Sequence, residues 1–367
     1  MPVQTHLEEI RKSRGFSAVN LAHRVGVSRQ TIYAIEDGSY VPNTTVALHL
    51  ARVLDVTVEE IFSIAGEPES EALGASLLVD DPAANKGPLV RVCRVYERLV
   101  AVPVSSLPAY LPAADGVIES RKKLSVSVSS PAAVPADGKR LLLAGCDPAL
   151  SLLGELLHSS GMEIIAVPSS SRCALRWLKQ GRVHAAGSHL LDRLTGDYNL
   201  PMIRRYFPKD TVRVVTFAVW EQGLVVQRGN PKSIRSIADL SGKGVRIINR
   251  EKGAGSRDLL DTGLRKAGIS ARQISGYESV ADGHLAAAYA VATKTADCCV
   301  APRSAARCFG LDFIPLAVER FDLSFNKAAF ELPATKAVLD LLNRSALRKK
   351  LQVIAGYDAT HTGEVLI

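Results

Sequence analysis

Three short stretches of this chain put small polar residues where an extended run hands over to a helical one. They are Cys146-Asp147, Ser169-Ser170-Ser171-Arg172 and Gly253-Ala254-Gly255-Ser256-Arg257. A helix start offers unpaired N–H groups and the positive end of the peptide dipoles, so such turns favour an anion. Serine hydroxyls add donors, and glycines let the backbone come close. Ser170, Ser171, Arg172, Gly255, Ser256 and Arg257 are therefore the candidate ligand-binding residues. Asp147, His189, Glu278 and Arg303 are secondary candidates, because each follows or lies near a strand end. A single serine at a helix start is usually just a cap, and Asp147 would repel an oxyanion. The case rests on three anion-friendly turns falling within one basic region.

A second constellation lies near the N-terminus. Gly26 permits a tight turn, and Ser28 caps a helical run whose exposed face is Arg29, Gln30, Tyr33 and Asp37. Arg and Gln side chains each form paired hydrogen bonds to base edges in the major groove of DNA. Arg29, Gln30 and Tyr33 are thus expected to read bases, while Ser28 and Thr31 are expected at phosphates.

Other chemistry is not indicated. There is no G-x-S-x-G, no Walker loop and no H-E-x-x-H, and GKGVR lacks the phosphate-loop frame. A serine or cysteine without a positioned base is not a nucleophile. No catalytic residue and no cofactor are assigned, and the chain is expected not to be an enzyme. The six cysteines form no C-x-x-C pair and no Cys/His cluster with zinc-ligand spacing, so no metal ligand is assigned, His184 and His189 included. The vicinal pair Cys298-Cys299 reads as part of an apolar strand rather than as a redox sensor.

The elements that must carry these residues follow from periodicity. Residues 1–65 read as short helices, with Leu7 and Ile10 on the first and Leu21, Ala22 and Val25 on the second. Arg29 to Glu36 is the third, a fourth opens at Thr44 or Thr45, and Val58 to Ile64 is the fifth. Residues 66–138 read as linker around a small β unit. Leu89 to Val104 is a hairpin turning at Tyr96-Glu97, and Leu124 to Val128 is a further strand. Residues 66–85 and 129–138 are rich in Pro, Gly and small or charged residues. From 139 to 367 strands and helices alternate, which implies mostly parallel sheets covered by helices. The last helix is expected over Ala334 to Ala355.

Charge is unevenly spread. Residues 1–65 carry six bases against seven acids, whereas residues 139–367 carry 32 bases against 21 acids, within a total of +8. A positive field over the C-terminal half would raise the local concentration of an anion. No apolar run approaches the length of a membrane span. The polar start MPVQTHLEEIRKSRG has no apolar segment of the secretory kind, so a cytoplasmic protein is expected.

Phe16 to Glu36, FSAVNLAHRVGVSRQTIYAIE, resembles the helix-turn-helix of the lambda-repressor/Cro-like family. Ala22, Gly26, Val27, Ile32 and Ile35 fall where that family packs two helices together, and PNTTVALHLARVLDVTVEEIF matches its later helices. The resemblance implies double-stranded DNA as partner and base contacts at the start of the recognition helix. It also departs from the family. Ala18 stands where Gln often supplies a backbone contact.

Residues 139–367 resemble the type II periplasmic-binding-protein superfamily, and more closely a molybdate-binding-protein-like domain. The stretches that carry this are AGCDPALSLLGELL, SSSRCALRWLKQGRVHAAGSHLLD, GDYNLP, EQGLVV, NREKGAGSRDLLD and AGYDATHTGEV. The resemblance implies a two-lobed α/β domain closing on a small anion such as molybdate or tungstate. The expected whole is multidomain. An all-α helix-turn-helix (1–65) is followed by a linker with a small β hairpin (66–138) and a two-lobed α/β ligand domain (139–367). It would act as a ligand-responsive regulator, as a homodimer because one such module reads only a half-site. The alternatives are a sensor of an organic anion or cofactor precursor, and an enzyme or binding protein that carries a helix-turn-helix.

Overall fold

A computed structural model describes residues 3–64, 71–79, 89–104 and 112–367. Parts of the linker expected at 66–85 lie outside the described residues. The chain forms two compact units, Met1–Glu71 and Ala72–Ile367.

In the first unit a short strand β1 (Val3–Thr5) precedes α1 (Leu7–Ser13), α2 (Ala18–Val25), α3 (Arg29–Glu36), α4 (Thr44–Leu54), α5 (Val58–Ile61) and β2 (Phe62–Ile64). The helices fall as expected except the fifth, which ends at Ile61 rather than Ile64 because Phe62–Ile64 pairs antiparallel with β1 as a strand. Capping explains the helix starts. Ser17, Ser28 and Asn43 accept from the N–H groups of Asn20, Thr31 and Val46 at 3.1, 3.0 and 3.0 Å, and Thr57 and Glu60 form a reciprocal capping box. Gly26 ends α2 with φ of 79°, a left-handed conformation that other residues rarely hold. Leu7, Leu21, Ile32, Ile35, Leu50 and Ile61 are fully buried between the helices. A buried Arg11–Glu36 ion pair at 2.5 Å fastens α1 to α3.

The second unit opens with more β structure than a hairpin. Strands β3 (Glu71–Leu77), β4 (Leu89–Val95), β5 (Arg98–Pro103), β6 (Gly116–Lys122) and β7 (Ser125–Ser130) close into a barrel. The β4–β5 hairpin turns at Tyr96-Glu97 as expected, with Tyr96 at φ of 53°. Alternation sorts its residues. Val90 and Val92 fill the barrel, while Cys93 and Val95 face outward into a core shared with Leu142, Ala144, Ile165 and Val167. Arg140 joins Asp115 (2.9 Å) and Glu163 (2.5 Å) across the same boundary.

The rest of the unit is a six-stranded sheet, a separate parallel pair of short strands (Asn249–Arg250 with Val280–Ala281) and their helices. In chain order these are β8 (Arg140–Gly145), α6 (Leu150–His158), β9 (Glu163–Pro168), α7 (Ser171–Lys179), β10 (Ala185–Ser188), α8 (Leu200–Tyr206) and β11 (Val212–Val226). There follow β12 (Asn249–Arg250), α9 (Gly255–Lys266), β13 (Val280–Ala281), α10 (His284–Ala292), β14 (Cys298–Pro302), α11 (Arg303–Cys308), β15 (Asp312–Asn326), α12 (Pro333–Leu342) and α13 (Ser345–Lys350). The helix expected over Ala334 to Ala355 is broken, with α12 and α13 followed by a π-turn over Leu351–Ala355. The sheet order is β14-β11-β15-β10-β8-β9. It is mixed rather than mostly parallel. β8 runs parallel to β9 and β10, whereas β15 runs antiparallel to both β10 and β11.

Two long strands, β11 and β15, make one domain out of two lobes. Their register shifts between Thr216 and Ala218 and again between Gln222 and Gly223. At the second shift a side chain on Gly223 would stand 2.2 Å from the Ile314 carbonyl, so only glycine fits. On one side of these shifts the strands pack with β8–β10, α6, α7 and α12 around Leu143, Phe217 and Leu323. On the other they pack with α9, α10 and β14 around Leu224, Leu260, Cys298 and Ala287. Cys298 and Cys299 lie buried in β14, in keeping with a structural role.

Candidate functional site

The ends of β8, β9 and β10 in lobe one meet the starts of α9, α10 and α11 in lobe two. Here α7 and α9 come together. A side chain on Gly253 would touch Arg172 at 3.4 Å and the Ser170 hydroxyl at 3.6 Å. Arg172 pairs with Asp258 across the cleft at 3.2 Å. Gly255 approaches His189 so closely that a Cβ would lie 2.6 Å from the ring Cε1 and 2.7 Å from the backbone oxygen. The lobes are therefore in contact across their cleft.

Of the expected residues, Ser170, Ser171, Gly255, Ser256, Arg257, Asp147 and His189 gather there, all buried. Ser170 caps α7 by accepting from Cys173 N–H at 3.4 Å. Ser171 accepts from the His189 N–H at 3.2 Å, and Ser256 from the Gln222 amide at 3.3 Å. Ala254 precedes α9 and supplies no side-chain cap, so the first N–H groups of that helix take no capping acceptor from it. Arg257 donates to the Arg250 carbonyl at 3.0 Å and lies over the Tyr277 ring. Asp147 accepts from Ala149 N–H (2.7 Å) and the Tyr357 hydroxyl (2.9 Å), and burial pushes its carboxyl up to about 7. Arg303 is held at the rim by Glu221 at 2.5 Å and by the Phe313 ring. Glu278 does not join the group; its side chain is 82% exposed and 3.8 Å from Arg257.

Several buried neighbours were not anticipated. His189 bridges Cys146 Sγ at 3.2 Å through Nε2 and Glu319 at 2.7 Å through Nδ1. Burial works against its charge, but Cys146 and Glu319 outweigh this and hold it up at about 10. Trp220, His284 and Phe321 surround the imidazole, with ring centroids 5.1, 5.9 and 6.0 Å away. Arg250 is 2% exposed and pairs through Nε with Glu251 at 2.8 Å. Among the described residues, Arg250 Nη1, Trp220 Nε1, Gln222 Oε1, Asp147 Oδ2 and both ring nitrogens of His284 are buried without a hydrogen-bond partner. Buried polar groups are nearly always paired, and these atoms are donors and acceptors without a protein partner. The only sequence signals were weak ones: Arg250 ends a short strand, and His284 follows Asp282-Gly283 at a helix start.

On the first unit, α3 buries Ile32 and Ile35 and turns Arg29, Gln30 and Tyr33 outward, with Tyr33 48% exposed. Arg29 lies over the Tyr33 ring at 5.8 Å. Ser28 and Thr31 are tied to each other, hydroxyl to hydroxyl, at 2.8 Å. The first turn of α3 thus presents an exposed polar surface.

Comparison with known proteins agrees with both halves. The helix-turn-helix family matches residues 7–61, and the PBP superfamily domain matches residues 154–343, just over half of the chain. The "uncharacterized protein YvgK" of Bacillus subtilis is 33% identical over 233 residues, covering 63% of this chain and 75% of its own length. An "uncharacterized HTH-type transcriptional regulator" of Methanothermobacter thermautotrophicus is 44% identical over 61 residues, covering 16% of this chain and 88% of its own. Among solved structures, the sulfate-binding protein SubI from Mycobacterium tuberculosis aligns with a TM-score of 0.45 at 17% identity, over 59% of this chain and 86% of that one. The chain belongs to the PBP superfamily, its binding domain fused to an N-terminal DNA-binding helix-turn-helix.

Proposed function

We propose that this protein is a cytoplasmic transcription regulator that reads DNA as a homodimer and senses a small anion in the cleft between its lobes. A tetrahedral oxyanion of the molybdate or tungstate kind is the first candidate. The observation that carries the reading is the meeting of α7 and α9 beside buried arginines. Two helix starts converge, one of them without a side-chain cap, together with Ser171, Ser256, Arg257 and the unpaired Nη1 of Arg250. Such donors bind an acceptor-rich guest and cost nothing to reorganise. Asp147, with its carboxyl near neutrality, can offer a proton to an oxyanion rather than repel it. Several charged hydrogen bonds of about 1.5–3 kcal/mol each give micromolar affinity or better. Among the described residues no helix is long and apolar enough to cross a membrane.

A second reading, an organic anion or cofactor precursor, is favoured by Gln222 Oε1 and Asp147 Oδ2, two acceptors that call for donors on the guest. Calorimetry separates the two. Molybdate or tungstate should bind the wild type and lose most of its affinity in the double variant Ser171→Ala, Ser256→Ala. No heat with either oxyanion, or equal binding by both proteins, overturns the oxyanion reading.

A further inference from the structure

Cys146, His189 and His284 bring one sulfur and two imidazoles together at the cleft floor. Their ligand atoms all lie within 4.8 Å of one another, and all three residues are buried. Two come from lobe one, at the ends of β8 and β10, and the third opens α10 of lobe two. In a tetrahedral site with sulfur and nitrogen bonds of about 2.3 and 2.0 Å, the sulfur and two nitrogens stand roughly 3.3–3.5 Å apart. Cys146 Sγ and His189 Nε2 are already 3.2 Å apart.

We propose that Cys146, His189 and His284 bind a borderline or soft transition-metal ion, of the Zn2+ or Cu+ class, and that the ion fastens lobe one to lobe two. The proposal rests on the cleft being the sensing site, and it departs from the expectation that no residue here ligates a metal.

Three independent features support it. His284 is 1% exposed, and among the described residues neither ring nitrogen has a partner, so the ring presents a lone pair with nothing to receive it. His189 directs Nδ1 to Glu319 at 2.7 Å, the carboxylate contact that orients a metal-binding imidazole, and its Nε2 faces Cys146 Sγ, so the ion would take the place of the proton between them. Thiolate with imidazole is the donor set such ions prefer over Mg2+ or Ca2+, which take oxygen. The Cys146 thiolate and the Glu319 carboxylate balance a divalent charge, and Arg250 is neutralised by Glu251 through two hydrogen bonds. Three protein ligands leave a fourth coordination position for an exogenous ligand.

The test uses the full chain, stripped with a chelator under reducing conditions and titrated with Co2+ as a spectroscopic probe. One equivalent should produce visible d–d bands of a tetrahedral site and a thiolate-to-cobalt charge-transfer band, both bleached by Zn2+. The charge-transfer band should vanish in Cys146→Ser, and affinity should fall at least tenfold in His284→Gln. X-ray absorption of the wild-type cobalt protein should count one sulfur and two imidazole nitrogens, which keeps the test decisive if either variant misfolds. No stoichiometric uptake, a shell without sulfur, or bands unchanged in folded Cys146→Ser overturns the proposal. Molybdate calorimetry on the stripped protein is the separate arm. Metal uptake without oxyanion binding upholds this site and removes only the oxyanion reading, and oxyanion binding without metal uptake does the reverse.

Discussion

One methyl group at Gly255 should hold the lobes apart. In Gly255→Ala the new Cβ would meet His189 at Cε1 (2.6 Å), Nδ1 (2.7 Å) and the backbone oxygen (2.7 Å). Ordinary contact is no closer than 3.4 Å, so the start of α9 must retreat by about 0.8 Å, and the backbone oxygen cannot swing aside. Overpacking of this kind costs about 1–3 kcal/mol. The cost falls only on the closed arrangement, because opening the cleft removes the clash. Closure should therefore become less favourable by that amount, and cleft-ligand affinity should drop about 5- to 150-fold. Thermal stability without ligand should change little. Gly154→Ala is the matched control. Its Cβ meets nothing within 4 Å, and it lies inside α6. It should leave affinity alone and add roughly 0.5–1 kcal/mol of stability. Calorimetry with the oxyanion that binds best reads the affinity, and small-angle scattering of the liganded proteins reads the closure. Affinity in Gly255→Ala within twofold of wild type would refute the reasoning.

Three further outcomes are expected. Replacing Arg29 or Gln30 with Ala should cost about 1–3 kcal/mol of specific DNA binding and relax sequence preference, read by anisotropy on operator and scrambled duplexes; unchanged preference in the double variant would remove the base-reading assignment. Arg11→Ala leaves the part-buried Glu36 carboxylate without its partner and should destabilise the first unit by about 1–3 kcal/mol, seen as faster amide exchange in α1 and α3, whereas Arg11→Met with Glu36→Leu should recover most of the loss. His184 is 2% exposed and accepts from the Leu142 N–H at 3.0 Å, and burial pushes it down to about 4. Its folded value lies below its unfolded one, so the unfolded chain takes up the proton first. Stability is full above about pH 6.5 and is lost toward pH 4, by at most about 3 kcal/mol. Denaturant titrations at pH 7 and 4.5 should show this slope in the wild type and a shallower one in His184→Asn; equal slopes would sink it.

Much of the molecule was legible because local physics decides it. Ser17 and Ser28 cap their helices in the first unit, Gly26 takes a left-handed turn, and Leu7, Leu21, Ile32 and Ile35 mark the buried faces of α1, α2 and α3. The strand-to-helix turns at Ser170 and Gly255 were visible for the same reason. Strand β15 was not. Pro315 falls inside its run DFIPLAVERFDLSFN, and register shifts against β11 break its alternation, so neither the period nor the composition reads as a long central strand. Missing β15 concealed the mixed sheet and, with it, Glu319. The barrel was half seen because a hairpin announces itself at its turn, while closure by β3 and β6 depends on distant pairing. The Cys146–His189–His284 group has no motif spacing at all. Cys146 and His189 are 43 residues apart, and His284 comes from the other lobe. Only the crossing of β11 and β15 brings them to one place.

Occupancy of the cleft should change how tightly the helix-turn-helix holds DNA. The most direct measurement is the affinity of the full chain for its operator duplex at fixed salt, with the cleft ligand absent and saturating. A shift of at least about fivefold is expected, the lower end of typical coupling free energies of 1–3 kcal/mol. The same factor is expected when ligand affinity is measured with and without DNA. Identical operator affinity in the presence and absence of a ligand known to fill the cleft would contradict it.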